Sequence, residues 1–552
     1  MTPESRNDRW ARLIAEELQR GGAGLAVLCP GSRNSPLVFA LATVFGSGAV
    51  SQIDERSAGF LALGFIRATG RPAVVCVTSG SAVANLLPAL VEAQADRLPL
   101  IVVTADRPWE AIGCGAPQAL RQEGLLRPGV VREVFLGEPS DDDLALRALR
   151  REVSRLVQTP GPGHLNVPLR EHPPTAGTTG LSDLALLGRP DGAPFTLIRA
   201  VRQADAVAAP AWWKSGQRGL IVVGVGPIPP GVTALAQRTG YPVLADAASG
   251  LRRPDTPHLV ILADALVGGP LGQEPIDLVI LVGSQPTTRA AYEFVARQAQ
   301  RLITVSRGNP IDAYARADLA VEGDDAVAQV TALVPGPGDI AWCARWCAED
   351  ADARQRLAAA VADLPWGEAA AVAAAVNHPA PPFLFLASSM AIRHANLLLS
   401  ATPRPVLANR GVNGIDGTLG TFLGASRALG PGLLLIGDLA FLHDLPALAA
   451  GGCGAIVLLN NGGGAIFDYL PVAQVPDYQR WIRTRHTRTF AAAAELFGLV
   501  YYDIRDRIAL DAALAQAVDG RLHLIECHLQ DLDAVAEHRR LLRLARGSKE
   551  SL

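Results

Sequence analysis

Three successive α/β units, each a doubly wound parallel sheet, are the architecture this sequence predicts. Short continuous apolar runs recur along the chain and alternate with helical patterns, as strands covered on both faces by crossover helices require. Two Pro- and Gly-rich breaks divide the chain. At 552 residues it is also longer than one hydrophobic core sustains.

The first unit spans residues 1–180. Its strand candidates are Leu25–Cys29, Val50–Ile53, Ala73–Val77 and Leu100–Thr104, with His164–Leu169 as the last. Thr175–Pro194, rich in Gly, Thr and Pro, reads as a linker. The second unit spans 195–334, with strands at Leu220–Val223, Pro242–Ala245, Leu278–Val282 and Leu302–Val305. Gly224-Val225-Gly226 opens like a dinucleotide fingerprint, but Pro229 stands where the third Gly belongs. This unit therefore reads as a structural central domain. Pro335–Asp339 is the second break. The third unit spans 342–552, with strands at Leu433–Ile436 and Ala455–Leu459. Units one and three are candidates for a shared fold.

Composition narrows the function class. Hydrophobic residues make up 49% and charged residues 19%, as in a compact protein rather than a disordered one. A net charge of −3 gives no reason to expect nucleic acid or an anionic membrane as partner. No apolar run has the length that membrane insertion needs. The seven cysteines are scattered and odd in number, which points to a reducing compartment and a cytoplasmic location. Cys343 and Cys347 share a helix face, but no His/Cys pair nearby in sequence completes a zinc site, so they read as packing.

The chemistry gathers at strand ends. The run Leu433–Ile436 stops at Gly437-Asp438, and Ala455–Leu459 stops at Asn460-Asn461-Gly462. Two buried strands would thus bring a carboxylate and an amide oxygen to one sheet edge. Those are hard oxygen ligands of the kind Mg²⁺ uses to hold a diphosphate, and the glycines let backbone approach phosphate closely. The spacing resembles the thiamine-diphosphate motif. Glu55, in SQIDERSAGF, sits at a strand-to-helix junction. By position alone it is an acid favoured at a helix N-terminus. Thiamine-diphosphate chemistry needs one carboxylate on the pyrimidine N1′, and Glu55 matches that place. Four arginines, Arg33, Arg107, Arg393 and Arg410, lie in Gly/Ser/Pro/Asn loops. Guanidinium pairs bidentately with carboxylate, so they point to substrates carrying several carboxylates.

Together PGSRNSPL, IDERSAGFLALG, TSGSAVANLLPALVEA, TADRP, GAPQALRQ, NRGVNGIDG and GDLAFLHDL resemble one thiamine-diphosphate family. It is that of the 2-succinyl-5-enolpyruvyl-6-hydroxy-3-cyclohexene-1-carboxylate synthases of menaquinone biosynthesis. The resemblance covers most of the chain and is strongest in its outer units. It implies pyrimidine-binding, central and diphosphate-binding domains in that order. It also implies decarboxylation of 2-oxoglutarate and 1,4-addition of the succinyl carbanion equivalent to isochorismate. Glu55 would activate the cofactor. Asp438, Asn461 and the carbonyl of Gly463 would hold Mg²⁺, with Mn²⁺ as the alternative ion. Gly437 would lie at the cofactor, and Ile415 would support its bent conformation. Ser32, Arg33, Arg107 and Gln118 would line the isochorismate side. Ser389, Arg393 and Arg410 would hold carboxylates, and Ile466, Phe467 and Leu470 would form an apolar wall. The resemblance further implies a homodimer or homotetramer with active sites at subunit interfaces.

Two positions depart from the pattern: Pro117 stands where Asn is expected, and Gly462 replaces a third Asn. Two other readings remain open at this stage. One is a different thiamine-diphosphate 2-oxoacid decarboxylase or synthase; the other is a catalytically silent regulator of the same fold.

Overall fold

The computed structural model describes residues 4–198, 208–529 and 534–547. They form three six-stranded sheets, and every strand pair is parallel. The first sheet holds β1 Leu25–Leu28, β2 Ala49–Ser51, β3 Ala73–Val77, β4 Leu100–Asp106, β5 Arg132–Phe135 and β6 Gly163–Pro168. The central sheet holds β7 Gly219–Val223, β8 Val243–Ala245, β9 Leu259–Val260, β10 Ile276–Val282, β11 Ala299–Ser306 and β12 Leu319–Glu322. The third holds β13 Leu384–Leu386, β14 Val406–Leu407, β15 Leu433–Gly437, β16 Gly454–Asn460, β17 Val500–Ile504 and β18 Leu522–His528.

The first sheet runs β2-β1-β3-β4-β6-β5 and the third β14-β13-β15-β16-β18-β17, the same order when each is counted from its own first strand. The central sheet differs, running β12-β11-β10-β7-β8-β9. In the third sheet the chain winds outward in both directions from β13 and β15. Their carboxyl ends flank a topological switch point, the place where open α/β sheets bind ligands.

The chain forms two compact units. One comprises Met1–Arg202, Gly411–Gly430 and His443–Cys453. The other comprises Gln203–Arg410, Pro431–Leu442 and Gly454–Leu552.

In the first unit, alternate strand residues feed two cores. Ala26, Leu28, Val74, Cys76, Ile101 and Val103 join Leu13, Leu41 and Leu149 from the helices on one face. Leu25, Val27, Val75, Val77, Leu100 and Val102 join Leu61, Ala62 and Leu90 on the other. Helix Glu55–Thr69 also crosses helix Thr418–Leu429 with backbones in close contact. A Cβ on Gly64 would overlap the Thr421 carbonyl, and one on Gly424 the Leu61 carbonyl.

The expected linker is part of the first unit's packing. Thr175 bridges to Ser5, and Asp183–Leu187 forms a helix with Ala185 fully buried. Buried Arg150 donates to the Ala185 and Leu186 carbonyls and pairs with Glu17 at 2.7 Å. The Gly/Thr/Pro composition concealed a Ser182-capped helix.

In the second unit, helix Ile340–Ala362 lies on the central sheet. Its Trp342 indole donates to the Gly219 carbonyl, and Asp350 accepts the amides of Ile261 and Leu262. At Gly224 a Cβ would strike the carbonyls of Ser284 and Gln285, so close backbone packing accounts for this glycine.

Candidate active site

The third-sheet edge forms from β15 and β16, whose register pairs Gly437 with Leu459. Asp438 follows β15 directly and is 2% exposed. Its Oδ1 accepts the Leu439 amide at 2.7 Å and its Oδ2 the Gly463 amide at 2.9 Å. His486 Nε2 lies 3.3 Å from that Oδ2. Burial raises the Asp438 pKa, while the Gly463 amide and His486 act against that rise.

Asn460 and Asn461 take different roles. Asn460 is a framework residue, donating to Glu526 and to the Arg488 carbonyl. Asn461 donates its Nδ2 to Glu368 Oε2 at 3.2 Å. A carboxylate only accepts, so this bond turns the amide oxygen away from Glu368. Asn461 Oδ1 is buried and has no partner among the described residues. A buried acceptor left open beside a buried carboxylate is what a hard cation fits. Gly463 has φ +135°, and a Cβ there would come within 2.7 Å of the Arg483 carbonyl. The donor set and its surroundings thus suit Mg²⁺ holding a diphosphate.

At the end of β13, Ser389 adopts φ +73° and precedes helix Met390–Leu398. Arg393 donates to the Ser389 carbonyl at 2.6 Å, and burial lowers its pKa. Arg410 Nη1 lies 3.5 Å from Ser388 Oγ. Ile466 and Phe467 are half-buried on the short helix Ala465–Tyr469, and Leu470 is exposed just beyond it.

The remaining predicted residues lie in the first unit. Glu55 opens its helix behind the Asp54 N-cap and accepts from Asn85 Nδ2 at 3.1 Å. Arg33 donates to the Leu169 carbonyl at 2.8 Å. Burial and the neighbouring Arg107 charge lower the Arg33 pKa, opposed by Glu171. Arg107 Nε is buried without a partner among the described residues. Arg107 also lines a cavity of about 410 Å³ with Asp106, Trp109, Gln122 and Asn166. Ser32 is exposed in the loop that carries Arg33. Gln118 has φ +56°, and its amide donates to the Ser79 carbonyl. Ile415 is 39% exposed in the loop before helix Thr418–Leu429.

Sequence reasoning missed Glu368, His486 and Gln122. Glu368 is 93 residues from Asn461 in sequence, and no local motif marks it. Gln122 lies four residues beyond Gln118 and accepts the Gly80 amide while donating to Asn166. It also missed Asp444, which is buried and accepts the amides of Gly417, Leu419 and Gly420, while Arg56 pairs with it at 3.4 Å. The HDL of GDLAFLHDL was its only trace in the sequence.

The sequence is similar to those of known proteins. Residues 8–125 match the family described as "Thiamine pyrophosphate enzyme, N-terminal TPP binding domain". A 2-succinyl-5-enolpyruvyl-6-hydroxy-3-cyclohexene-1-carboxylate synthase of Myxococcus xanthus is 38% identical, over 97% of this chain and 96% of its own. The chain belongs to that synthase family. A synthase of the same name from Rubrobacter xylanophilus is 37% identical over 99% of both chains. One from Geobacillus kaustophilus is 35% identical over 96% of both. Family membership favours neither a different thiamine-diphosphate enzyme nor a silent regulator.

Proposed function

We propose that this protein decarboxylates 2-oxoglutarate and adds the succinyl unit to isochorismate in 1,4 fashion, in menaquinone biosynthesis. The observation that carries the reading is the open Asn461 oxygen beside buried Asp438, in a chain whose full-length relatives bear that synthase name. Thiamine diphosphate, when bound, supplies the electron sink that lets a 2-oxoacid lose CO₂. Asp438, Asn461 Oδ1 and the Gly463 carbonyl would hold Mg²⁺, or Mn²⁺, for the diphosphate, with Gly437 alongside. Glu55 would hold a proton against the pyrimidine N1′ when the cofactor is bound. Ile415 would support the bound cofactor, and Ile466, Phe467 and Leu470 would keep water from the reacting carbon.

In this proposal Arg393 and Arg410, with Ser389, orient the carboxylates of 2-oxoglutarate. Arg33 and Arg107, with Ser32 and Gln118, orient isochorismate. The charge complementarity is matched to two polyanionic substrates. We assign the first sheet to a pyrimidine-side domain, the second to a central domain and the third to a diphosphate-side domain. The working form is a homodimer or a dimer of dimers, with Glu55 of one subunit serving the cofactor bound by another. Among the described residues no helix is long and apolar enough to cross a membrane. A cytoplasmic site of action rests on the scattered cysteines.

The test supplies thiamine diphosphate, Mg²⁺, 2-oxoglutarate and isochorismate, then omits each in turn. Isochorismate should disappear only in the complete mixture. Turnover of isochorismate without 2-oxoglutarate would overturn the reading.

A further inference from the structure

The helix Ile340–Ala362 carries Cys343 and Cys347 four residues apart, so both thiols project from one face. The sequence offered no third ligand, but the fold supplies one. His258, just ahead of β9, comes from a different part of the second unit and reaches the same place. Its ring nitrogen and the two sulfurs all lie within 4.8 Å of one another. Among the described residues no other His, Cys, Asp or Glu group of three or more meets that condition.

The His258 backbone is set for this position. It holds φ +54°, a conformation in which His is enriched among non-glycine residues. Its carbonyl accepts the Val243 amide at 2.9 Å, which pins the turn to β8. Cys343 is buried, Cys347 half-buried and His258 exposed, so the cluster is closed on the protein side and open on the solvent side.

We propose that His258, Cys343 and Cys347 form a site for a thiophilic divalent cation, Zn²⁺, whose fourth ligand is water. Zn–S bonds of about 2.3 Å in a tetrahedron place two sulfurs about 3.8 Å apart. With its atoms all within 4.8 Å, the cluster reaches that geometry by closing no more than about 1 Å, within the range of side-chain rotation. Two thiolates and a neutral imidazole balance the cation's charge, so the metal adds no net charge to a half-buried place. The site lies on the central sheet and is chemically distinct from the hard-oxygen set at Asp438. There the ion would tie helix Ile340–Ala362 to the turn that enters β9.

The experiment uses the reduced full-length protein, with the diphosphate site saturated by Mg²⁺ and thiamine diphosphate. Co²⁺ is titrated in as a spectroscopic stand-in for Zn²⁺. We expect one equivalent to give a thiolate-to-metal charge-transfer band and the intense visible bands of a tetrahedral ion. Cys347→Ser should roughly halve the charge-transfer intensity per bound Co²⁺ and weaken the affinity by at least about tenfold, and His258→Ala should weaken the affinity comparably. Both positions reach solvent, so these variants should fold even if Cys343→Ser does not. Zn²⁺ should also shield half-buried Cys347 from alkylation in the wild type while exposed Cys114 stays reactive. Absence of the charge-transfer band in the wild type would overturn the assignment. So would wild-type band intensity and affinity in Cys347→Ser, or alkylation of Cys347 at the same rate with and without Zn²⁺.

Discussion

Removing Glu368 should loosen the metal without touching a metal ligand. Its carboxylate is 3% exposed and opens helix Glu368–Asn377. Burial alone would raise its pKa, but His394, Asn461 and Arg483 outweigh burial and lower it. It is therefore an acceptor-only group, and the Asn461 amide must present Nδ2 to it. In Glu368→Ala that constraint disappears, and Asn461 can turn its NH₂ toward the cation. A hydrogen bond to a charged group contributes about 1.5–3 kcal/mol. Outer-shell partners of metal ligands change affinity by roughly 10–100-fold. Mg²⁺-dependent binding of thiamine diphosphate, followed by titration calorimetry, should weaken within that range. Glu368→Gln keeps an acceptor for Asn461 and should lose less. Circular dichroism checks that both variants fold. A folded Glu368→Ala with wild-type Mg²⁺-dependent affinity would refute the orienting role.

Four further outcomes follow from the same contacts. Glu55→Gln should fold and bind thiamine diphosphate but exchange the thiazolium proton far more slowly; exchange at the wild-type rate removes Glu55 from that role. Arg107→Ala should still decarboxylate 2-oxoglutarate yet fail to trap isochorismate, whereas Arg393→Ala should fail at decarboxylation. Each should lose about 2–5 kcal/mol of binding to its own substrate, and equal half-reaction rates in both would reject the division. Burial lowers the His164 pKa to about 4, so the unfolded chain takes up a proton first as pH falls. Stability from this residue is present above its ordinary value and lost toward pH 4, by about 2 kcal/mol at pH 5; urea unfolding of His164→Gln should show a flatter pH dependence. Gly64→Ala, whose methyl meets the Thr421 carbonyl, should cost about 1–3 kcal/mol, read from the same unfolding curves.

What the sequence made legible follows from how each part is built. Ala73–Val77 and Leu433–Ile436 are unbroken apolar runs buried on both faces, so their strands are visible without a structure. Leu522–His528 is equally central, between β16 and β17, but it carries His523 and Glu526 inward. Glu526 accepts from Asn460, the Phe490 amide and Tyr501, a polar pairing that no single-sequence pattern reveals. Edge strand Arg132–Phe135 is short and half-polar, and β14 has only two residues. At the candidate site, Asp438 and Asn461 were legible because each ends a strong strand. Glu368 and His486 were not, because only the fold brings them alongside. His258 joins Cys343 and Cys347 for the same reason.

The most direct measurement of the central claim follows isotope through the reaction. The complete mixture is supplied with 2-oxoglutarate labelled with ¹³C at C1 or at C5, and the product is read by mass. The account predicts that C1 leaves as CO₂ and C5 is retained in a product that forms only with isochorismate. Isochorismate left unchanged while 2-oxoglutarate is merely decarboxylated, or another 2-oxoacid consumed in its place, would contradict it.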